Sequence, residues 1–396
     1  MWRSPVSAHG WGPWGRRFKS CHPDKTKLLK KKLKMRNFII LLTSLIILSS
    51  CAESSESNNN DAPNIILITL DGVRWQEVFN GVDLDLIENK KFTKNSTLLK
   101  DMFLSDDNKN RQQKLLPFIG NYINNKGVLI GNRDEGSILK LTNDQLFSYP
   151  GYNEILTGFA DSSITSNDKI YNKNKTILEL LNRNENYSGR VAAFCSWDVF
   201  PFIINDKRSG VPVSAGYSNL ENEKLSRLES FIENYQTMIP LFRDNVRYDL
   251  FTHILSMEHI RNRAPKAVYI SYDQTDSFSH AGNYDDYIVS LHNTDKMIEE
   301  LWTYLQDQPF YKDNTYMFIT TDHGRGDGDF PNSMWTSHGS GADGCEYTWL
   351  AILGPEIKET GLEKGEYYVN QIAPTIANLT GITIEKDNVP DAIQIN

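Results

Sequence analysis

The stretch Ile65–Leu70 (IILITL), followed directly by Asp71-Gly72, decides the class of fold. Its apolar and β-branched residues follow one another without alternation, which predicts a strand that is buried on both faces. An acidic residue and a glycine immediately after it predict a turn that places a carboxylate at the edge of a sheet. A strand of this kind belongs in a parallel sheet that helices cover on both sides.

The rest of the chain repeats this pattern of buried strands and amphipathic helices. Further apolar runs predict strands at Val191–Phe194, Ala267–Tyr272, Tyr316–Thr321 and Trp349–Leu353. Helical periodicity is present at Lys175–Leu181, Asn222–Tyr235, Asp244–Arg263 and Tyr284–Gln306. Alternating strands and helices predict an α/β fold with a mostly parallel sheet, formed by one domain over residues 63–396. The segment Asn80–Asn143 lacks a clear pattern, and we expect partly irregular structure there.

Three of these strands are followed by side chains of the types that can bind metals. Asp71 follows the first, Asp276 and His280 come shortly after AVYISY, and Asp322-His323 follows YMFITT. His338 stands a little further on, between Ser337 and Gly339. The carboxyl ends of parallel strands share one edge, so we expect these side chains to meet there. Taken singly, each is equally compatible with a turn or a polar helix pair. Together, oxygen and nitrogen ligands without thiolate suit zinc, with Mn²⁺ or Mg²⁺ as alternatives.

A candidate nucleophile lies in the segment Phe147–Gly158 (FSYPGYNEILTG). Ser148 precedes a Pro-Gly pair and an apolar stretch that has the character of a first helical turn. Backbone N–H groups at a helix start favour an anion, and a nearby metal acidifies a hydroxyl. The alternative is that Ser148 is simply a turn residue. We expect the remaining histidines of the body, His253, His259 and His292, to be structural because each lies within a helical pattern.

Four sequence blocks, in this order, resemble the alkaline phosphatase superfamily, and most closely its type I phosphodiesterase/nucleotide pyrophosphatase branch. They are NIILITLDGVRWQEVF, FSYPGYNEILTG, DQTDSFSHAG, and ITTDHGRGDG with the later TSHG. The resemblance implies an alkaline phosphatase-like fold and a metal-dependent hydrolase of small phosphoric esters, either monoesters or diesters. It implies two Zn²⁺ ions at the C-terminal edge of the strands and a phospho-enzyme formed on Ser148. One ion would be held by Asp71, Asp322, His323 and Ser148, and the other by Asp276, His280 and His338.

The chain departs from that branch at several positions. Ser148 stands where Thr is usual, and Gly151-Tyr152 where Asn-His is usual, which leaves the substrate preference open. Asn167 is the best candidate for the substrate-binding amide of the family, with Asn172 and Asn174 as alternatives. The residues that could neutralise a phosphomonoester are Lys169, Arg190, Lys207 and Arg208.

Alternative functions remain at this point. Formylglycine sulfatases need an Arg two residues after the Pro, and this chain has Tyr152 there. A phosphonate- or sulfate-ester hydrolase, or a non-catalytic surface binding protein of the same fold, is the alternative to a phosphoric ester hydrolase.

The N-terminal residues differ in character from the body. Residues 1–50 hold eleven Lys/Arg and one acidic residue, which leaves 31 basic and 49 acidic residues, a net charge of −18, in the rest of the chain. An acidic body argues against a nucleic-acid groove. The basic segment Lys30–Arg36, the apolar run Phe38–Leu48 and the sequence Leu48-Ser-Ser-Cys51 resemble a bacterial lipoprotein signal peptide, here residues 35–51.

This resemblance implies a lipid anchor at Cys51, a flexible tether over residues 52–62, and residence in the cell envelope. Ala52 after the cysteine favours the outer membrane of a Gram-negative bacterium, facing the periplasm or the exterior. Residues 1–34 are interpreted as an upstream extension outside the fold. Cys195 and Cys345 are one possible disulfide pair, and neither that pairing nor the oligomeric state follows from the sequence.

Overall fold

The strand predicted from IILITL lies near the middle of the main sheet. The computed structural model describes residues 62–218, 224–240, 243–328, 334–386 and 389–395, and in it Asn64–Leu70 is strand β1 with all seven residues buried. The other strands are β2 Val128–Ile130, β3 Ser137–Lys140, β4 Val191–Cys195, β5 Val213–Ala215, β6 Ala267–Tyr272, β7 Thr315–Thr320, β8 Tyr347–Thr348, β9 Leu350–Leu353, β10 Gly361–Leu362 and β11 Gly365–Tyr368.

Eight of these strands form one sheet in the order β10-β2-β9-β7-β1-β6-β4-β5. Every pair in it is parallel except the two pairs made by β9, which is antiparallel to β7 and to β2. A smaller sheet has the order β11-β3-β8. The predicted α/β architecture with a mostly parallel sheet is therefore confirmed, and all five predicted strands begin and end within one residue of the observed bounds.

Helices cover both faces of the main sheet. They are α1 Trp75–Asn80, α2 Leu84–Glu88, α3 Ser96–Phe103, α4 Asn108–Leu115, α5 Asn124–Lys126, α6 Ser148–Thr157, α7 Ile177–Arg183, α8 Phe200–Ile204, α9 Asp206–Ser209, α10 Arg227–Tyr235, α11 Asp249–Arg263, α12 Gln274–His280, α13 Tyr284–Asp307 and α14 Ile372–Thr380. The four predicted helices correspond to α7, α10, α11 and α13. The observed α10 and α11 each begin five residues later than predicted.

Alternate residues of β1 belong to two separate apolar clusters. In β1, Ile66, Ile68 and Leu70 belong to the cluster that packs beneath α11 and α13. Ile65 and Leu67 belong to the cluster on the opposite face, which includes residues of α6, α7 and α14. Because side chains of a strand alternate between faces, a continuous apolar run fills both layers at once.

The segment Asn80–Asn143 is more regular than expected. It contains helices α2 to α5, a π-helix at Phe118–Ile123 and the strands β2 and β3. The expected partly irregular structure is therefore limited to the loops between these elements. The strands of the segment are only three and four residues long, too short to show a pattern in the sequence.

Residues Ala62–Asn396 form one compact unit. The predicted signal peptide, the predicted lipid anchor at Cys51 and all of the predicted tether except its last residue, Ala62, lie outside the described residues. Among the helices that the structure does describe, none is long and apolar enough to span a bilayer. Cys195 and Cys345 are both buried and free.

Candidate metal centre and nucleophile

The topology places the predicted ligands at one edge of the sheet. Thr69 of β1 pairs with Thr320 of β7, so Asp71 and Asp322 each stand two residues beyond the same register position. On the other side of β1, the Asp71 N–H donates to the carbonyl of Tyr272, the last residue of β6. Neighbouring strands in register deliver their following residues to the same place, which is why these acids converge.

The first group of ligands is deeply buried. Asp71, Asp322 and His323 each offer one atom, and these atoms lie within 4.8 Å of one another. His323 Nε2 is 3.5 Å from Asp71 Oδ1 and 3.4 Å from Asp322 Oδ2. Among the described residues neither carboxylate oxygen has a hydrogen-bond partner. Orphaned buried oxygens facing an imidazole nitrogen fit a divalent cation.

Hydrogen bonds on the far side of these ligands fix their orientation. His323 Nδ1 is 2.9 Å from the carbonyl of Gly324, which can only accept, so the proton is on Nδ1 and Nε2 presents its lone pair. The Gly72 N–H donates to Asp322 Oδ1 at 3.0 Å. The Tyr152 hydroxyl donates to Asp71 Oδ2 at 2.7 Å. Each contact uses an atom other than the one that faces the centre.

Burial and mutual repulsion disfavour the charged forms of the two carboxylates in this first group, and a bound cation would favour them. Burial, and then the charge of Asp276, raise the pKa of Asp71 to about 8. Burial, and then the charge of Asp71, raise the pKa of Asp322 well above its usual range. Burial lowers the pKa of His323 to about 4, so the imidazole is neutral and able to act as a ligand. A bound divalent ion would offset the cost of two adjacent buried carboxylates.

The second group of ligands opens toward solvent. Asp276, His280 and His338 also offer atoms within 4.8 Å of one another. The Nε2 atoms of His280 and His338 are 2.9 Å apart, and His280 Nε2 is 3.3 Å from Asp276 Oδ2. The side chain of His280 is 38% exposed, whereas that of Asp276 is buried. Two nitrogens and a carboxylate that face one point also fit a divalent cation, and the exposed side is open to a substrate.

Ser148 lies beside the first group. It is the first residue of α6, and its Oγ is 3.5 Å from His323 Nε2. Gly151 explains this close approach, since a Cβ at that position would lie 2.1 Å from the backbone oxygen of Asp322. Helix α6 therefore packs directly on the chain that carries Asp322 and His323. The structure brings together all seven residues predicted for the two metals and the nucleophile.

The start of α6 offers fewer donors to an anion than the sequence suggested. The Tyr149 N–H already donates to Asn167 Oδ1 at 2.9 Å, Pro150 has no N–H, and the Gly151 N–H donates to the carbonyl of Phe147. The expected anion site made by the first N–H groups of this helix is thus largely taken up.

The three candidate asparagines differ in their contacts. The Asn172 amide donates to Asn153, and its oxygen accepts the Asn174 N–H. Asn174 donates to Asn153 and Asp161. Asn167 is exposed, lies next to Ser148 through its bond to Tyr149, and its Nδ2 has no partner among the described residues.

Sequence reasoning missed two residues of this site. Arg325 is fully buried, where it donates from Nε to the carbonyl of Gly72 and from Nη2 to Asp276. Burial raises the pKa of Asp276, but Arg325 and then His280 hold it well below its usual range. Tyr152 is the other; it lies one helical turn after Ser148, and this i, i+4 spacing is the signal that could have placed it there.

Most of the four basic residues that could neutralise a phosphomonoester form ion pairs or hydrogen bonds with other groups. Arg208 pairs with Glu179 and donates to three backbone carbonyls, and Arg190 donates to the carbonyl of Ala264. Lys207 lies 3.8 Å from Asp206. Lys169 pairs with Asp198 at 2.6 Å and is half exposed, in the same segment as Asn167. The histidines expected to be structural lie within α11 and α13, as predicted.

The chain has a mostly parallel α/β fold that matches that of an alkaline phosphatase, and it carries two candidate metal-ligand groups. Residues 242–384 match the family model described as the Metalloenzyme superfamily, a range that contains five of the six Asp and His ligands but neither Asp71 nor Ser148. A comparison with curated proteins finds no sequence match.

Solved structures agree with this fold. The alkaline phosphatase PafA gives a TM-score of 0.54 at 11% identity, over 85% of this chain and 99% of that chain. The lipoteichoic acid synthase LtaP from Listeria monocytogenes gives 0.52 at 13% identity, over 83% and 74%. The phosphonate monoester hydrolase SpPMH from Silicibacter pomeroyi gives 0.51 at 13% identity, over 83% and 75%. At these identities the likeness concerns the fold alone.

Proposed function

We propose that this chain is a metal-dependent hydrolase of phosphoric esters that uses Ser148 as its nucleophile. The observation that carries the proposal is the position of Ser148 Oγ, 3.5 Å from His323 Nε2. Two orphaned carboxylate oxygens, those of Asp71 and Asp322, face the same nitrogen. A hydroxyl placed beside such a group is the arrangement that phosphoryl transfer needs.

The proposed cofactors are two Zn²⁺ ions, with Mn²⁺ or Mg²⁺ as alternatives. Asp71, Asp322 and His323 would hold one ion together with Ser148, and Asp276, His280 and His338 would hold the other. When bound, the ions supply positive charge that acidifies the nucleophile and stabilises the attacking and leaving oxygens.

In the proposed reaction, Ser148 Oγ attacks phosphorus as its proton passes to solvent. A bond forms between Oγ and phosphorus while the bond from phosphorus to the leaving oxygen breaks, and that oxygen takes up a proton. Water then attacks the phosphoserine, releases phosphate or a phosphate ester, and restores the hydroxyl. Asn167, held by the Tyr149 N–H, would donate from Nδ2 to a phosphoryl oxygen.

The first test is hydrolysis of p-nitrophenyl phosphate and of bis(p-nitrophenyl) phosphate, before and after chelation and after Zn²⁺ is restored. We expect one of the two to be hydrolysed, with loss of turnover on chelation and recovery with Zn²⁺. The preferred ester decides between a phosphomonoesterase and a phosphodiesterase or nucleotide pyrophosphatase. Turnover that chelation leaves unchanged would contradict the proposal.

The second test is Ser148→Ala, which should reduce turnover at least 100-fold because the nucleophile is lost. Ser96→Ala is the matched control, since Ser96 is also the first residue of a helix, α3. It should leave turnover unchanged. Full activity in Ser148→Ala would rule out the proposed mechanism.

The same assay tests the alternatives. The phosphonate monoester hydrolase among the solved structures supports adding p-nitrophenyl phenylphosphonate to the substrates, with p-nitrophenyl sulfate beside it. Preference for either would replace the phosphoric ester with that class. Stoichiometric Zn²⁺ without turnover of any of these esters would favour a non-catalytic binding protein.

We also propose that the protein is anchored to the outer membrane of a Gram-negative bacterium by a lipid on Cys51. The support is the sequence of residues 30–51, which lie outside the described residues. Mass spectrometry of the mature N-terminus should find a lipidated Cys51. A mature chain that begins before Met35 would contradict this.

A further inference from the structure

Asp249, the first residue of α11, contacts the start of the helix that carries Asp276 and His280. Its Oδ1 accepts the Asp273 N–H at 2.9 Å, and its Oδ2 accepts the Gln274 N–H at 3.0 Å. In return, the Asp249 N–H donates to Oε1 of Gln274 at 2.8 Å. The starts of α11 and α12 therefore cap each other.

This contact supplies side-chain acceptors at the start of α12, where the N-cap side chain supplies none. The first N–H groups of a helix have no partner within the helix and are usually satisfied by the side chain of the N-cap residue. The N-cap residue of α12 is Asp273, and its side chain makes no such bond. Its Oδ1 instead accepts the Ser277 hydroxyl at 2.6 Å. The N–H groups of Asp273 and Gln274 thus depend on Asp249, a residue that lies 24 and 25 positions away in the chain.

A buried network ties Asp249 to the ends of the strands. The Ser196 hydroxyl donates to Asp249 Oδ1 at 2.6 Å and lies 2.8 Å from Thr252 Oγ1. Thr252 Oγ1 accepts from Arg247 Nε at 3.0 Å, and Arg247 Nη2 donates to the carbonyl of Cys195 at the end of β4. Arg247, Ser196 and Thr252 are fully buried. The orientation of α12 is therefore fixed relative to β4 by a chain of side-chain bonds.

We propose that Asp249 is a positioning residue of the second metal group. By holding the start of α12, it places Asp276 and His280 opposite His338, which comes from a separate loop. This rests on the proposed function only to the extent that the second group binds a metal. Partners behind metal ligands commonly set metal affinity by fixing ligand orientation.

The chain contains a matched control in Asp295 of α13. Asp295 is also fully buried, and its two oxygens accept the N–H groups of Phe118 and Ile119 at 2.8 and 3.0 Å. The contact is chemically the same, but the helical segment that it caps, Phe118–Ile123, carries none of the predicted ligands. Loss of either carboxylate removes the acceptors of two backbone N–H groups, and loss of Asp249 also removes the acceptor of the Ser196 hydroxyl. Both variants can lose stability, but only the Asp249 variants are expected to lose affinity at one metal group.

The experiment is a calorimetric titration of the metal-free full chain with Zn²⁺. We expect two binding events in the wild type. In Asp249→Ala and Asp249→Asn one of the two affinities should fall 10- to 100-fold while the other is retained. Asp295→Asn should keep both. Asp249→Asn retains the shape and one acceptor oxygen, so it gives a folded variant if Asp249→Ala is too unstable to titrate.

Two outcomes would overturn the inference: wild-type affinities at both sites in the Asp249 variants, or an equal loss at both sites in the Asp249 and Asp295 variants. Failure of the proposed function has a different signature. A wild type that binds two ions without hydrolysing any ester, with one affinity lost in Asp249→Asn, would remove the catalytic proposal and leave this inference intact.

Discussion

At the residue scale, the Tyr152 hydroxyl contacts a ligand of the candidate metal centre. It is fully buried, and its bond to Asp71 Oδ2 leaves Oδ1 facing His323. Tyr152→Phe removes only the hydroxyl and leaves Asp71 Oδ2 without a hydrogen-bond partner among the described residues. We expect the Zn²⁺ affinity of the first group to fall about tenfold, measured by calorimetric titration.

Tyr187→Phe is the control for that prediction. Tyr187 is equally buried, but its hydroxyl donates to the carbonyl of Pro63, away from the predicted ligands. Its variant should lose stability without a change in Zn²⁺ affinity. Equal affinities in the two variants would show that the Tyr152 hydroxyl does not act on the metal centre.

His259 is a second case at the residue scale, and it concerns pH. Burial, and then Arg263, lower its pKa to about 4 from an ordinary 6.5. The unfolded chain therefore takes up a proton first as the pH falls, and the stabilisation present above pH 6.5 is lost between 6.5 and 4. His259→Gln should remove up to about 3 kcal/mol of this pH dependence, measured as unfolding free energy in urea. Identical pH profiles for the variant and the wild type would contradict the assignment.

Helix α6 is the element that positions Ser148, the proposed nucleophile. Gly151 allows it to lie against the backbone of Asp322, where an added Cβ would be 2.1 Å from an oxygen. Gly151→Ala must push the helix away, and we expect a loss of about 1–3 kcal/mol in unfolding free energy. Turnover should fall as well, since Ser148 moves with the helix. Gly341→Ala, where a Cβ meets nothing within 4 Å, should leave both quantities unchanged.

Helices and strands differ in how well the sequence predicts them, because some depend on local sequence patterns and others on tertiary contacts. The strands were predicted closely because a parallel strand buried on both faces has an uninterrupted apolar sequence. The short strands of the segment Asn80–Asn143 have no such signal. Helix α12 is absent from the predicted helices for another reason. It is seven residues long and is capped by Asp249 from another helix, a contact without any local trace in the sequence.

At the scale of the whole molecule, a metal bound at the candidate centre is expected to change stability. Without a cation, Asp71 and Asp322 place two carboxylates side by side in the interior, a cost that a bound ion offsets. We expect chelation to lower the midpoint of thermal unfolding and added Zn²⁺ to raise it with concentration, measured by calorimetry. Asp322→Asn should raise the midpoint of the metal-free chain and reduce the response to Zn²⁺. A midpoint independent of Zn²⁺ in the wild type would contradict a metal at this site.

Apolar runs and the residues at strand ends are local features, and they are enough to predict the α/β class, the buried strands and the candidate ligands. Which atoms meet depends on the folded chain: the fit of α6 at Gly151, the Tyr152 bond to Asp71, the buried Arg325, and the contact of Asp249 with the start of α12. The two kinds of feature differ in how far apart in the chain the interacting residues lie. Burial patterns and turns depend on neighbouring residues and can be predicted from them. Hydrogen bonds between residues far apart in the chain form only after the sheet has set their register.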